Sequence, residues 1–355
     1  MPERMNFVGI KTTSAIRIAD LGGWTDTWFA QCGSVASLSV YSRIFGNCGE
    51  FLGVDVIATT AKSGLDCGEI SIIAADPTYN VIAKITDIIN DNFDHKNLLL
   101  ASLSLCPLNM FLHDNITFRI QSPIPPGASM GTSASVSTAL IKSVFVLANS
   151  GYLASEIAKL AFRAETEVMG GQSGTQDQWT AAYSSGANEI VIDNYPETRL
   201  YDIPLSSETR TFLNNGLVTV FVGQHNSSQT HMKVISEQEN KGPDSEELVA
   251  LRKIAPMAVV ALRKGDTKRF GELMKKNTKA QEKLCSKLVG ENHRLVIKHA
   301  NRLNCLGYKV NGAGGEGGSV TLLFSKRSTA EKFVVTLKVN PAAEGFQYFE
   351  HQIAS

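Results

Sequence analysis

The sequence predicts an α+β protein built from two domains, and three observations support this. The chain has 355 residues, more than a single hydrophobic core usually organises. Strand-like and helix-like patterns are both frequent, first as strands with crossing helices and later in the order β-α-α-β-α-β. A stretch rich in proline, serine and charged residues, 194–207, separates the two halves, so we expect domains at residues 1–200 and 201–355.

The first half has the pattern of strands that lead into helices. Short runs of β-branched residues end at turn residues such as Gly22-Gly23 and Asp76-Pro77. These runs predict strands at 12–18, 33–40, 54–59, 70–74, 116–122 and 189–193. Apolar residues at helical spacing predict helices at 81–92, 96–105, 131–149 and 155–169. The strand at 116–122 would therefore lead directly into a glycine-rich loop and then a helix.

The second half opens with a strong strand pattern at 217–222. Helical patterns follow at 230–239, 245–264, 268–288 and 291–306. A strand–loop–strand unit is expected at 308–311 and 319–324, then a helix at 329–338 and a last strand at 345–350. The chain contains no internal repeat and no low-complexity tract, so repeat architectures are not expected.

Composition and charge exclude several classes of protein. Lysine plus arginine and aspartate plus glutamate both number 34, so the net charge is about zero and predicts neither a nucleic-acid partner nor a membrane surface. The six cysteines form no C-x-x-C pair and no zinc-like cluster, which fits a reducing compartment. The first ten residues lack a basic segment followed by an apolar stretch, so we expect no signal peptide and a cytoplasmic location.

The most informative stretch is 122–139, S-P-I-P-P-G-A-S-M-G-T-S-A-S-V-S-T-A. A loop of glycine, serine and threonine leads into a helix, whose N-terminus offers unpaired N–H groups and suits a phosphate. Gly127 and Gly131 would let the backbone approach a ligand, and Thr132 and Ser133 could reach phosphate oxygens or a metal. The loop has no lysine and is therefore not a P-loop. On this loop alone, an ordinary capped helix start is an equal alternative.

Near the C-terminus, the glycine cluster at 312–317 matches G-x-G-x-x-G. A dinucleotide site needs this motif between a strand and a helix, whereas here a strand pattern, S-V-T-L-L-F, follows it. We therefore expect a glycine-rich hairpin, whose loop could pack against a substrate held elsewhere.

Three glycine-rich segments, at 17–26, 125–135 and 311–318, occur in an order that resembles the GHMP kinases. This superfamily includes galactokinase, homoserine kinase, mevalonate kinase and phosphomevalonate kinase. The middle segment resembles its phosphate loop, P-x-x-x-G-L-G-S-S-A, and the last resembles its third motif, K-x-x-G-A-G-x-G-G, with one extra residue. The resemblance implies an N-terminal ribosomal protein S5 domain 2-like ATP-binding domain and a C-terminal ferredoxin-like α+β domain.

The resemblance also assigns the residues that would hold ATP and Mg²⁺. The expected ATP-binding loop consists of Pro126, Gly127, Ala128, Ser129, Met130, Gly131, Thr132 and Ser133. In the family, the second hydroxyl of this loop and a glutamate from a later helix bind Mg²⁺, which by position are Ser133 and Glu165. Mg²⁺ keeps several waters, so two protein ligands suffice. Glu167 is a near neighbour of Glu165 and the alternative ligand.

The first segment resembles sugar-kinase motifs and would line the substrate site. Its form, Gly-Gly-x-Thr-Asp, is found in heptose-phosphate kinases and fucokinases, whereas galactokinase has glutamate at the second glycine. A later segment, G-T-Q-D-Q at 174–178, resembles the G-x-Q-D-Q of sugar 1-kinases. There Asp177 would accept or orient the proton of the attacking hydroxyl, with Arg17 beside it. The expected substrate-binding residues are Gly22, Gly23, Trp24, Thr25, Asp26, Gln178, Gly314 and Gly315.

Alternative roles remain open for several of these residues. Trp24 could pack on a sugar or fill the core, and His225 is a weaker sugar-side candidate. A substrate phosphate would need a basic clamp, for which Lys233, Arg43 or Lys309 are candidates.

The sequence thus predicts an ATP- and Mg²⁺-dependent sugar kinase that acts as a monomer or homodimer on a small molecule. The first choice of substrate is D-glycero-D-manno-heptose 7-phosphate, converted to the 1,7-bisphosphate. A fucokinase or another monosaccharide 1-kinase is the alternative. A decarboxylase of the same superfamily and a non-catalytic sugar sensor are expected less.

Overall fold

The computed structural model describes residues 8–63, 67–224, 227–238 and 240–355, and it confirms the α+β class. The strands are β1 (Val8–Ser14), β2 (Ile16–Leu21), β3 (Gly33–Ile44), β4 (Val54–Lys62), β5 (Glu69–Ala74), β6 (Val81–Lys84), β7 (Asp114–Gln121), β8 (Ala187–Asn194), β9 (Glu197–Ile203), β10 (Leu217–Gly223), β11 (Gly307–Val310), β12 (Gly318–Leu323) and β13 (Gln347–Ile353).

The helices alternate with these strands along the chain. They are α1 (Ile85–Ile89), α2 (Leu98–Ser104), α3 (Thr132–Leu147), α4 (Ala154–Arg163), α5 (Gln176–Tyr183), α6 (Ser207–Gly216), α7 (Ser227–Gln238), α8 (Glu246–Arg252), α9 (Ile254–Arg263), α10 (Thr267–Leu284), α11 (Glu291–Arg302) and α12 (Arg327–Lys338). A π-helical turn, Ala164–Val168, continues α4. None of the helices in the described residues combines the length and apolar character needed to cross a membrane.

The first sheet has five strands in the order β1-β4-β7-β5-β6. After β7 comes the glycine-rich loop at 126–133, called the phosphate loop here after the family motif that it resembles. In β7, alternate residues Ile116, Phe118 and Ile120 are buried, as expected for a strand with one covered face. Their side chains pack in one core with residues of α1, α2 and α3. This core fixes the direction of α3, and thereby the place where its N-terminus meets the loop.

The second sheet joins the two halves of the chain. Its strands follow the order β11-β12-β10-β13-β3-β8-β9, and β2 also pairs with β3. Strand β13, near the end of the chain, lies antiparallel to β3, with Phe349 opposite Ile44. The expected division at residues 200 and 201 falls within β9, and it stays a prediction.

Several elements differ from the sequence-based expectation, which includes neither α5 nor α6. The single strand expected at 12–18 is divided between two sheets, because β1 ends at Ser14 and β2 begins at Ile16. The helix expected at 81–92 is β6 followed by the short α1, since β6 completes the edge of the first sheet. The helix expected at 245–264 breaks at Lys253, three residues before Pro256, which lacks the N–H needed to continue α8. The polar stretch at 194–207 contains an edge strand, β9, rather than only a linker.

The largest hydrophobic core packs the first glycine-rich segment, 17–26, against helices of the C-terminal half. Ile16, Ile18 and Leu21 of β2 pack in one cluster with residues of α8, α9 and α10, among them Leu273 and Met274. Burial of this apolar surface holds β2 against α10, so the first and third glycine-rich segments lie beside each other.

Candidate active site

The phosphate loop curls tightly before α3. Gly127, Ser129 and Gly131 all have positive φ, of 75°, 58° and 70°. The positive φ of Ser129 strains its backbone, as it would not strain glycine. The hydrogen bond that its carbonyl accepts from Arg17 stabilises this conformation. Gly131 is the N-cap of α3 and supplies no side-chain cap, so the first N–H groups of that helix lie directly after the loop without a capping side chain. Such an end is suited to an anion.

Hydrogen bonds from the first glycine-rich segment and from β12, directly after the third segment, hold the backbone of this loop. The backbone N–H of Arg17 donates to the Met130 carbonyl at 3.0 Å, and its Nη1 donates to the Ser129 carbonyl at 3.2 Å. The Ser319 hydroxyl donates to the Ala128 carbonyl at 2.6 Å. The three segments that are far apart in sequence therefore meet at one place.

Asp177 and Arg17 form an ion pair directly against the loop. Nε and Nη2 of Arg17 lie 2.8 and 2.7 Å from Asp177 Oδ1. A Cβ on Gly131 would lie only 3.2 Å from the Asp177 carboxyl carbon, so the loop approaches this residue closely. Burial alone would lower the pKa of Arg17, but Asp177 and then Asp20 outweigh it and raise the pKa. Arg17 is thus a fixed positive charge beside the candidate base.

Asp26 lies deeper, beside the first turn of α5. Its Oδ2 accepts the N–H of Gln176 at 3.0 Å, and a Cβ on Gly174 would lie 2.2 Å from the same oxygen. Burial raises the pKa of Asp26 to about 6, opposed by the Gln176 N–H. The hydroxyl of Thr25 is buried and donates to the Gly22 carbonyl at 2.8 Å, so it supports the turn that carries Asp26.

Trp24 belongs to the core next to this turn. Its ring centroid lies 6.5 Å from that of Phe29, and Trp28 meets Phe29 edge-on at 5.8 Å. A cavity of only about 10 Å³ is left between these rings, Gly174 and Ile235. Of the two roles considered for Trp24, the geometry therefore favours core packing.

The two glutamates considered as metal ligands, Glu165 and Glu167, lie in different environments. Glu167 is exposed and pairs with Arg163 at 2.7 Å. Glu165 is half-buried, and its Oε1 is enclosed without a hydrogen bond to any described residue. Burial raises the pKa of Glu165 to about 7, partly offset by Ser173 and Gln178 and reinforced by Asp177. An enclosed carboxylate oxygen without a donor is what a bound cation would satisfy.

The hydroxyl groups of the loop and the side chain of Gln178 offer further oxygen atoms to a metal ion. Ser133 is exposed at the start of α3, and Thr132 Oγ1 is enclosed without a hydrogen bond to a described residue. Gln178 is buried, with its Nε2 on Ser173 Oγ at 3.1 Å and its Oε1 unpaired among the described residues. These oxygens suit a hard cation or a hydroxylated substrate, so the residues present fit the expected groups.

The remaining glycines serve close backbone packing. Gly22 N–H donates to Asn277 Oδ1 of α10 at 2.7 Å. A Cβ on Gly23 would lie 2.6 Å from Asp20 Oδ2, and a Cβ on Gly314 would lie 2.1 Å from the Leu288 carbonyl. Gly315 N–H donates to that same carbonyl at 3.2 Å. The hairpin expected around 312–317 is present between β11 and β12.

The four weaker candidates lie in different environments. Lys309 is fully buried between Asp20 and Gln281 and is closed to a substrate phosphate. Arg43 pairs with Glu350 at 2.9 Å. Lys233 is exposed on α7, and His225 lies outside the described residues.

Sequence reasoning missed the residues that tie the segments together. Asp20 bonds to Arg17, Lys309 and the Gly312 N–H. Asn311 accepts the Ala19 N–H at 3.1 Å and donates to Ser319 Oγ at 2.9 Å. Both stand inside the motifs, but the contacts that join the first segment to the third, Asp20 to Lys309 and Gly312 and Asn311 to Ala19, link residues almost 300 positions apart. Local spacing could not identify them.

Comparison with known families accounts for this arrangement. The family model of the GHMP kinases N terminal domain matches residues 97–185, which include the phosphate loop and Asp177. The model of the GHMP kinases C terminal domain matches residues 258–338, which include α10 and the third glycine-rich segment.

Individual relatives are distant. The bifunctional fucokinase/GDP-fucose pyrophosphorylase of Arabidopsis thaliana is 24% identical over 325 residues, 88% of this chain but 30% of that protein. The chain thus spans less than a third of that relative. The mevalonate kinase of Methanocaldococcus jannaschii is 26% identical over 300 residues, 82% of this chain and 89% of that protein.

A solved structure supports the fold. A D-glycero-D-manno-heptose 1-phosphate kinase from Bacteriodes thetaiotaomicron superimposes with a TM-score of 0.67, covering 97% of each chain at 16% identity. At that identity the likeness concerns the fold. With its N- and C-terminal domains both matched, the chain belongs to the GHMP kinases, which transfer the terminal phosphoryl group of ATP to alcohol acceptors.

Proposed function

We propose that the protein is a Mg²⁺-dependent kinase that transfers the γ-phosphoryl group of ATP to a hydroxyl of a sugar or sugar phosphate. The observation that carries this proposal is the Asp177–Arg17 ion pair, which Arg17 holds against the loop through hydrogen bonds to the Ser129 and Met130 carbonyls. Phosphoryl transfer depends mainly on positioning and on charge stabilisation, and this cluster supplies both.

The residues of the chain have separate roles in the reaction. The N–H groups of the loop and of the first turn of α3 bind the ATP phosphates. The substrate oxygen forms a bond to the γ-phosphorus, the bond from that phosphorus to the β–γ bridging oxygen breaks, and ADP leaves. Asp177 accepts the proton of the substrate hydroxyl. Arg17 stabilises charge on the transferred group and keeps Asp177 oriented.

Ser133 and Glu165 are the residues that would hold Mg²⁺, with Thr132 as a further oxygen donor. The enclosed oxygens of Glu165 and Thr132 support this assignment. Bound there, the ion would offset negative charge on the phosphates. Glu167 is not proposed, because its carboxylate is exposed and paired with Arg163.

Asp26 is the proposed sugar-binding carboxylate, since a carboxylate accepts two hydroxyl donors. The Gly-Gly-x-Thr-Asp form of its motif supports D-glycero-D-manno-heptose 7-phosphate as the first choice of substrate. Fucose is the alternative, supported by the fucokinase relative. Mevalonate is a second candidate, because the mevalonate kinase relative aligns over most of its own length.

The test is ADP release from ATP and Mg²⁺ across heptose 7-phosphate, fucose, galactose, mannose and mevalonate, followed by ³¹P NMR of the product. We expect turnover on one sugar and a new anomeric phosphate. Turnover on mevalonate alone would replace the sugar assignment. Binding of ATP without turnover on any acceptor would contradict the proposed function.

A further inference from the structure

Asp20 lies at the centre of a buried charge cluster that the proposed mechanism leaves unexplained. The side chains of Asp20, Arg17 and Lys309 are 1%, 3% and 1% exposed. Asp20 Oδ1 is 3.1 Å from Arg17 Nη1 and 3.2 Å from Lys309 Nζ. The free energy needed to remove three charges from water usually exceeds what their mutual attraction contributes. Such a cluster therefore points to a role other than stability.

The two carboxylates hold Arg17 from two sides. Asp177 takes Nε and Nη2, whereas Asp20 takes Nη1, which also donates to the Ser129 carbonyl. The planar guanidinium is thereby fixed in rotation as well as in position. With Asp177 alone, Arg17 could turn about that contact, and its Nη1 would lose its direction towards the phosphate loop.

Lys309 and a backbone N–H fix Asp20 in turn. Lys309 reaches Asp20 from β11, and its Nζ also donates to Gln281 Oε1 at 2.9 Å. The Gly312 N–H lies 3.2 Å from both oxygens of Asp20. Because Lys309 offsets the charge of Asp20, Arg17 is not neutralised by two carboxylates at once.

The Gly-Gly motif gives independent support from steric grounds. Gly23 has no positive φ, so its backbone would accept a side chain. A Cβ there, however, would lie 2.6 Å from Asp20 Oδ2 and 3.3 Å from the Asp20 carbonyl. In this chain, a side chain at position 23 would therefore have to displace the Asp20 carboxylate.

We propose that Asp20 is a positioning residue for phosphoryl transfer, which orients Arg17 against Asp177 and the phosphate loop, and that Gly23 is glycine in order to leave room for it. This inference rests on the roles proposed above for Arg17 and Asp177. The opposing explanation is that Asp20 serves only to offset the buried charge of Lys309.

The double variant Asp20→Asn/Lys309→Met separates the two explanations, because it removes one charge of each sign. We expect it to unfold in urea near the wild-type midpoint and to bind ATP with similar affinity. Its kcat should nevertheless fall about 100-fold, the effect of a small misplacement of a catalytic group. A folded double variant with a kcat within about threefold of wild type would overturn the proposal.

Gly23→Ala provides a second test that changes no charge and remains decisive if the double variant does not fold. We expect a kcat at least about tenfold lower with ATP binding retained, because the methyl group displaces the Asp20 carboxylate. Gly151→Ala is the matched control, since a Cβ there meets nothing within 4 Å. Wild-type turnover in Gly23→Ala would also overturn the proposal.

Asp177→Asn is measured beside these variants. Full activity in Asp177→Asn would contradict the proposed function itself, whatever Asp20 does. An inactive Asp177→Asn together with a fully active Gly23→Ala would reject only the inference about Asp20.

Discussion

Two clusters in this protein share one charge pattern, a buried carboxylate between two basic side chains. The inner cluster is Arg17–Asp20–Lys309. The outer cluster is Arg43–Glu350–Arg327, at the C-terminal end of β3. The carboxylates are equally buried, at 1% and 2% exposure, but Arg43 and Arg327 are 27% and 34% exposed, whereas both inner cations are enclosed.

The difference in burial separates a structural role for the outer ion pairs from a catalytic role for the inner ones. The outer arginines keep water on one side and stack on Phe51 and Phe45, at 4.1 and 4.4 Å from the ring centroids. Through Glu350 they help to hold β13 beside β3, and their partial exposure keeps the desolvation penalty small. The side chains of the inner cluster are almost completely buried. Such burial lowers stability but favours catalysis, because charges act more strongly in a low dielectric.

The largest expected effect comes from the same substitution made in each cluster. Arg17→Lys keeps the charge but cannot reach Asp177, Asp20 and the Ser129 carbonyl together, so kcat should fall about 10²- to 10³-fold. Arg327→Lys should leave kcat within about twofold. Steady-state kinetics on both proteins measures the contrast, and similar losses in the two variants would remove the distinction between the clusters.

A second pair of variants sharpens the comparison within one helical turn. Glu165→Gln should raise the Mg²⁺ concentration for half-maximal rate by about 10- to 100-fold, because its enclosed oxygen loses its charge. Glu167→Gln is the control, since that carboxylate is exposed and pairs with Arg163. Titration of the rate with Mg²⁺ distinguishes them; an effect confined to Glu167→Gln would reverse the assignment.

Asp26 provides a test by pH rather than by turnover. Burial raises its pKa from 3.8 to about 6, so between about pH 4 and 6 the folded chain holds a proton that the unfolded chain releases. Its contribution therefore favours folding below this window and is lost as the pH rises through it. Asp26→Asn should be more stable than wild type by about 3 kcal/mol above pH 7, and the two should converge near pH 4.

Urea unfolding across the pH range measures this difference. An equal dependence on pH in both proteins would show that Asp26 does not carry the shifted proton.

The smallest expected effect is in the outer cluster. Glu350→Gln should lower the free energy of unfolding by about 1–2 kcal/mol, since both arginines can return to water. Its kcat should stay at the wild-type value, in contrast to Asp20→Asn/Lys309→Met. Urea unfolding and kinetics on one preparation test this, and a large loss of kcat would show that the outer cluster also serves the site.

The sequence predicted the parts of the site that depend on local pattern. The glycine-rich loop before α3, the helix after it and the hairpin around 312–317 are present as predicted, because glycine spacing and strand alternation are local signals. The pairing of Arg17 with Asp177 followed from the family resemblance and agrees with the contacts between them. The choice of Glu165 over Glu167 stays a prediction, supported by their different burial.

The parts that could not be predicted depend on contacts between distant segments. Asp20 and Lys309 meet only because β13 joins β3 and brings the two halves into one sheet. The polar edge strand β9 was missed because its charged residues match a linker. Trp24 stayed ambiguous because an aromatic side chain suits a core and a sugar equally well.

The most direct test of the catalytic assignment is a single-turnover measurement with wild type, Asp177→Asn and Glu350→Gln on the sugar that the acceptor panel identifies. We expect Glu350→Gln to transfer phosphate at the wild-type rate and Asp177→Asn to be about 10²- to 10⁴-fold slower, with ATP binding unchanged in both. Transfer at the wild-type rate by Asp177→Asn would contradict the account, because the inner cluster would then be arranged around a residue that the reaction does not use.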